Sequence, residues 1–237
     1  MQVADLGLPE GPGPHPVAVL LHGGFWRVPY RRDQMEPLAA DLRHRGWASW
    51  NVEYRAMGPR WRGGGGGWPV TCEDVAAAID TLALTGLRLD LRRVVAIGHS
   101  AGGHLALWAG SRRDANVPLA GAVGQGAVCD LELGARLHLS RDVVQEFCGG
   151  EPEDVPEAYR EASPARRVPA GIPQLLVHGE RDPNVPVELA TSYAAAARAA
   201  GDDVTLVVRP GEGHFEHLDP TSMAWRAVTD WLQERFP

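Results

Sequence analysis

Short apolar runs alternate with longer amphipathic stretches along most of the chain. The runs at residues 17–21, 48–52, 94–97, 120–123, 174–177 and 204–208 are apolar at nearly every position. That is the pattern of strands covered on both faces of a parallel sheet. Helical stretches lie between them. One spans 36–45 behind Asp33. A second spans 74–84, where Thr71-Cys72-Glu73-Asp74 reads as a capping box. A third, over 101–112, follows the tight turn after the run at 94–97. A fourth, over 187–200, is entered through Pro186 and closed by Gly201, the usual helix asymmetry. A last helix opens at Asp219-Pro220 and places Ala224, Val228, Trp231 and Leu232 on one face. Alternation of this kind predicts an α/β class protein, a three-layer α/β/α sandwich on a mostly parallel, doubly wound sheet. Residues 2–8 are expected to add an antiparallel edge strand.

Two stretches break the rhythm. Residues 130–168 lack long periodicity and carry Glu151-Pro152-Glu153-Asp154-Val155-Pro156. They are expected to form short helices over one end of the sheet, a small lid-like insertion within a single domain spanning 1–237. Five consecutive glycines at 63–67 sit between Trp61-Arg62 and Trp68-Pro69. A floppy loop is the plain reading, and a mobile loop beside a pocket the functional one.

Composition narrows the chemistry. Apolar residues make up 44% and charged residues 22% of 237, a globular composition that argues against disorder. The 23 basic residues are all arginine. Without lysine there is no Schiff base, no phosphate-loop lysine and no Ser–Lys dyad. A net charge of −7 and the absence of a basic stripe make nucleic acid and anionic membrane poor partners. No apolar run reaches the length of a membrane span, and the first residues lack signal-peptide character. Three cysteines without CxxC spacing fit free buried thiols in a reducing cytoplasm. The nine histidines form no HxxxH or HExxH pair, so neither a metal nor another cofactor is expected.

Three loops carry the candidate chemistry. Gly98-His99-Ser100-Ala101-Gly102-Gly103 is a G-x-S-x-G between a strand and a helix. A sharp strand-to-helix turn lifts Ser100 Oγ above the carboxyl edge of the sheet, where side chains at positions 98 and 102 would collide with neighbours. Serine alone is a weak nucleophile, so a base and an orienting acid are required. Asp182 follows the run at 174–177, and His214 lies in Gly211-Glu212-Gly213-His214-Phe215 after the run at 204–208. Glu180 and Asp130 are rival acids, and His217 is a rival base. Backbone N–H groups in His22-Gly23-Gly24-Phe25-Trp26, with that of Ala101, could bind an oxyanion. His22 reads as a residue that ties this loop. Of eight tryptophans, Trp26 and Trp68 are expected to shape an aromatic substrate pocket, although packing alone would also explain them. Trp47, Trp50, Trp108, Trp225 and Trp231 are expected in the core.

With HGGFW, GHSAGG, HGERDPNVP and GHF in this order, the chain resembles the α/β-hydrolase superfamily from Val17 to Trp231. Within it, His-Gly-Gly-aromatic-Trp and small size resemble the arylformamidase (kynurenine formamidase) and carboxylesterase branch. GHSAGG and HGxxDxxVP are also similar to the catalytic domain of prolyl oligopeptidases. Phe25 stands where hormone-sensitive-lipase-type esterases carry a third glycine. The resemblance implies a catalytic triad of Ser100, Asp182 and His214 and an oxyanion hole of Gly24, Phe25 and Ala101. It implies a serine hydrolase that cleaves small carboxylic esters or aryl formamides through an acyl-enzyme. A small peptidase and a non-catalytic binding module are the alternatives. The partner is a small-molecule substrate, with a homodimer conceivable.

Overall fold

A computed structural model describes residues 3–237. Seven strands build one sheet: β1 (Val3–Gly7), β2 (His15–Leu21), β3 (Ala48–Glu53), β4 (Leu89–His99), β5 (Gly121–Gln125), β6 (Gln174–Gly179) and β7 (Val204–Arg209). Their order is β1-β3-β2-β4-β5-β6-β7. Every neighbouring pair is parallel except β1 with β3. The antiparallel edge strand is therefore present, and Gln2 of the expected range lies outside the described residues. Among the described residues, eight α-helices flank the sheet: α1 (Glu36–His44), α2 (Val70–Asp80), α3 (Ala101–Gly110), α4 (Leu131–Arg136), α5 (Val143–Cys148), α6 (Pro156–Ala162), α7 (Glu188–Ala199) and α8 (Met223–Arg235). Among the described residues no helix is long and apolar enough to cross a membrane.

The continuous apolar runs are explained by two cores, one on each face. Val17, Val19, Leu21, Val94 and Ala96 pack with Val75 and Ile79 of α2, Leu105 of α3 and Leu189 of α7. The alternate residues Ala18, Leu20, Val95 and Ile97 pack with Leu38 and Leu42 of α1 and Trp225, Val228 and Leu232 of α8. Burying each large side chain contributes about 2 kcal/mol, so the central strands need both helical layers. Ala224, Val228, Trp231 and Leu232 are all buried, as their shared face predicts. Trp47, Trp108, Trp225 and Trp231 are buried, and half-buried Trp50 packs against the core. The three cysteines are free and buried.

Three boundaries differ from the sequence expectation. β4 begins at Leu89, because Asp90, Arg92 and Arg93 extend the strand with polar side chains that an apolar run does not register. α2 begins at Val70, not behind a Thr71 cap. Thr71 instead accepts from the Gly67 N–H and donates to the Arg55 carbonyl, while buried Asp74 pairs with Arg55. α8 begins at Met223, because Ser222 accepts from the Trp225 N–H and caps it there. Residues 216–218 form a separate 3₁₀ turn before it.

Residues 63–67 form a folded loop. The N–H groups of Gly64, Gly65 and Gly66 donate to the carbonyls of Pro59, Gly58 and Ala56. A Cβ on Gly64 would lie 2.0 Å from the Gly58 oxygen, and one on Gly66 2.0 Å from the Arg55 oxygen. Glycine is needed here for close backbone approach.

Candidate active site

The carboxyl edge of the parallel strands gathers the loops after β2, β4, β6 and β7. At the end of β4, Ser100 has φ 56° and ψ −117°, outside the ordinary regions for a residue with a side chain. Backbone bonds hold this turn, among them one from the Val128 N–H to the Ser100 carbonyl at 3.4 Å. The Ser100 N–H donates to the Gln125 carbonyl at 2.8 Å, and the Ser100 carbonyl accepts from the His104 N–H at 3.1 Å. The flanking glycines are steric requirements. A Cβ on Gly98 would meet the Gly102 oxygen at 2.0 Å, and one on Gly102 would meet the Leu21 oxygen at 2.0 Å. Ser100 Oγ is buried and forms no hydrogen bond among the described residues.

Asp182 lies in the turn after β6, with its side chain fully buried. Its Oδ1 accepts from the N–H groups of Asn184 and Val185 at 2.8 and 2.9 Å. Its Oδ2 accepts from His214 Nδ1 at 2.7 Å. Burial alone would raise this carboxyl's pKa. The bonds and charge of His214, then the two backbone donors, more than offset that and hold it below the usual range. With Nδ1 donating to the carboxylate, a neutral His214 carries its bare nitrogen at Nε2. The structure thus joins Asp182 to His214. It does not join the rivals: Glu180 is exposed and accepts from the Gly211 N–H, while Asp130 caps α4.

The loop after β2 presses on the Ser100 turn. A Cβ on Gly23 would lie 2.8 Å from His99 Nδ1 and 3.2 Å from Ser100 Cβ. The backbone N–H groups of Gly24, Phe25 and Ala101 make no hydrogen bond among the described residues. Phe25 and Trp26 both adopt positive φ, 52° and 54°. The loop is fixed by its neighbours: the Trp26 carbonyl accepts from the Met57 N–H, and the Gly24 carbonyl from the Arg27 N–H. His22 stacks on Tyr54, with ring centroids 4.2 Å apart, and its backbone carbonyl accepts from the Tyr54 hydroxyl.

The aromatic pocket expected from Trp26 and Trp68 is not formed. Trp26 is 0% exposed. Its Nε1–H donates to His104 Nδ1 at 3.2 Å, and its ring stacks on Phe147. His104 then donates from Nε2 to the Ala162 carbonyl at 2.9 Å. Trp68 is half-buried and packs edge-to-face on Trp108. Trp108 lies eight residues along α3 from Ser100, about 12 Å away along the axis. Both tryptophans are packing residues because α3 and the short helices between residues 131 and 162 offer them aromatic and polar partners.

Sequence reasoning overlooked His99 and His178 behind the pair, while His217, the rival base, is not the histidine bonded to Asp182. His99 Nε2 donates to the His214 carbonyl at 2.9 Å, with the two rings 4.5 Å apart. His178 Nε2 donates to the Val185 carbonyl and lies 3.5 Å from Asp182 Oδ2. His217 is 0% exposed, and neither ring nitrogen has a partner among the described residues. Only the position of His99 inside GHSAGG hinted at such a role.

Comparison with known proteins follows this geometry. The model of the prolyl oligopeptidase family matches residues 60–236. The chain belongs to that family, within the α/β-hydrolase superfamily. The Mycobacterium tuberculosis proteins named Esterase LipC and Esterase LipQ are similar, with 31% identity over 87% and 29% identity over 92% of this chain. Those alignments take in 54% and 55% of the two relatives, so the chain spans about half their length. An acetyl ester-xyloside bifunctional hydrolase from Caldicellulosiruptor lactoaceticus superposes with a TM-score of 0.81 at 21% identity, covering 98% of this chain and 87% of its own. A Thermogutta terrifontis esterase superposes at 0.78 and 22% identity over 98% and 86%. These superpositions establish the α/β-hydrolase fold. The family match falls on the prolyl-oligopeptidase resemblance, and these relatives do not show the arylformamidase branch.

Proposed function

We propose that this family member is a serine hydrolase of small carboxylic esters. The observation that carries the reading is the buried Asp182–His214 bond, on the sheet edge that holds Ser100 on its strained turn. His214 Nε2 takes the Ser100 proton as Oγ attacks the carbonyl carbon. Asp182 keeps the imidazole in that tautomer and stabilises its charge. The N–H groups of Ala101, Gly24 and Phe25 receive the oxyanion, and each such donor contributes about 3–4 kcal/mol. His214 returns the proton to the leaving alcohol, and water activated by the same imidazole releases the acid. The Ser100–His214 bond forms in the substrate complex, since such bonds are often unmade without substrate.

The esterase relatives favour esters over peptides. Family membership keeps a peptidase activity as the second reading, and HGGFW keeps aryl formamides within the panel. We read residues 130–168 as a small lid-like insertion inside a single domain. In a panel of p-nitrophenyl acetate and butyrate, N-formyl anilines and dipeptide anilides, the short esters are expected to turn over fastest. Ser100→Ala should abolish that turnover and leave the circular dichroism unchanged. Full turnover in the variant would overturn the mechanism. Faster anilide cleavage would make the protein a peptidase.

A further inference from the structure

A cavity of about 270 Å³ opens at the carboxyl end of β3, lined by Tyr30, Arg31, Glu53, Arg55, Arg60 and Arg62, with Val28 and the backbone of the glycine loop. Four of its side chains are cationic and one is anionic, in a chain whose net charge is −7. Arg55 is held by Asp74 through Nε and Nη2 at 2.8 and 2.5 Å. Arg31 Nε lies 3.5 Å from Glu53, whose charge is also shared with Arg32. Arg60 and Arg62 make no ion pair among the described residues. Arg62 stacks over Trp61, and Arg60 lies along Gly65. The loop carrying them is bonded to residues 56–60 and admits no side chain at Gly64. Two guanidinium groups without an ion pair, carried on a loop whose backbone is fixed, can take up a carboxylate through paired N–H donors.

The cavity also adjoins the proposed oxyanion loop. β3 is the second strand from β4, so its end lies about 10 Å across the sheet from Ser100. Tyr30 belongs to both: its side chain packs against the α-carbon of Gly24, where a Cβ would meet it at 2.2 Å, and it lines the cavity.

We propose that Arg60 and Arg62 form a subsite for a carboxylate carried by the ester substrate about 10 Å from its carbonyl carbon. This deepens the hydrolase reading and rests on it. At about 1.2 Å per extended bond, the spacing corresponds to about eight bonds.

The test compares hemi-esters of dicarboxylic acids of four to ten carbons with their methyl-capped neutral counterparts, all as p-nitrophenyl esters. A second series, ω-carboxyalkyl acetates and their methyl esters, places the carboxylate on the alcohol side. In one series the ratio of kcat/KM, charged over capped, is expected to exceed about ten at low salt and to peak near eight bonds. It should fall as salt is raised, and drop about tenfold in Arg60→Gln/Arg62→Gln. The responding series identifies the side of the ester that enters the cavity. A ratio at or below one at every length in both series, or a preference unmoved by the double variant, overturns the subsite. Binding separates the two claims. Calorimetry of suberic acid monomethyl ester with Ser100→Ala should give a signal that Arg60→Gln/Arg62→Gln abolishes, whether or not esters are hydrolysed. No binding, or binding that survives the double variant, overturns the subsite by itself.

Discussion

Lowering the pH from 7.5 to 5 should cost this protein much of its stability through its buried histidines. His99, His104, His178 and His217 are no more than 2% exposed. Burial pulls every one of their pKa values down: His104 to about 4, His217 to about 3, His99 well below its ordinary value, and His178 in the same direction. For His99, neighbouring His214 and His217 add to the effect. The unfolded chain takes up these protons near pH 6.5 and the folded chain does not, so stability is full above pH 6.5 and falls as pH drops below it. At pH 5.5 a histidine that stays neutral in the fold costs about 1.4 kcal/mol, and at pH 5 about 2 kcal/mol. His104 and His217 together therefore remove about 3 kcal/mol at pH 5.5 and about 4 kcal/mol at pH 5, with His99 and His178 adding to it. A domain of this kind has about 5–15 kcal/mol in all. The lowered pKa of Asp182 acts in a separate window: its contribution persists above the unfolded carboxyl value near 4 and is lost only as pH falls through the still lower folded value.

The assay is urea unfolding by circular dichroism at pH 7.5, 6.5, 5.5 and 5.0. His104→Gln is the informative variant. An amide can accept from Trp26 Nε1 and donate to the Ala162 carbonyl, as the imidazole does, but it does not titrate. Its stability should fall about 1.4 kcal/mol less than that of the parent between pH 7.5 and 5.5. A parent whose stability is flat across this range refutes the reasoning, and so does a variant with the parent's slope.

The glycine loop and the loop after β2 give two further tests. Gly66→Ala drives a methyl into the Arg55 carbonyl and should cost about 3 kcal/mol, whereas Gly63→Ala has open space but a φ of +88° and should cost about 1 kcal/mol. Thermal melting of both variants checks the order, and equal costs would mean that the loop yields. Trp26→Phe removes the donor to His104 Nδ1 and should lose about 2 kcal/mol in urea unfolding through the buried acceptor left unpaired. A neutral result would show that the bond contributes nothing.

What the sequence made legible depended on how far each residue's partners lie along the chain. Gly98 of GHSAGG could be read as a steric requirement because the atoms that exclude a side chain there belong to Gly102 and Gly103, in the same turn, whereas Gly102 is confined by the Leu21 oxygen of β2. The strands could be read because cover on both faces leaves its mark on every residue of a run, and β4 was underestimated where that cover ends at Asp90–Arg93. Asp182 and His214 lie 32 residues apart, yet each follows a readable strand, so strand order alone brings them to one edge. Trp26 had no such guide. Its burial is decided by His104 of α3 and Phe147 of the short helix α5, whose packing against the loop after β2 no local pattern encodes. Proximity in sequence to Gly24 therefore pointed to a pocket where the fold has a core. The run at 63–67 makes the same point in reverse. Five glycines in a row look permissive, but Gly64 and Gly66 are fixed by the backbone oxygens of Gly58 and Arg55. A glycine is a hinge only when nothing lies beside it, and that neighbour is a property of the fold. It follows that the cationic cavity, whose wall this loop builds, could not have been found from its arginines alone.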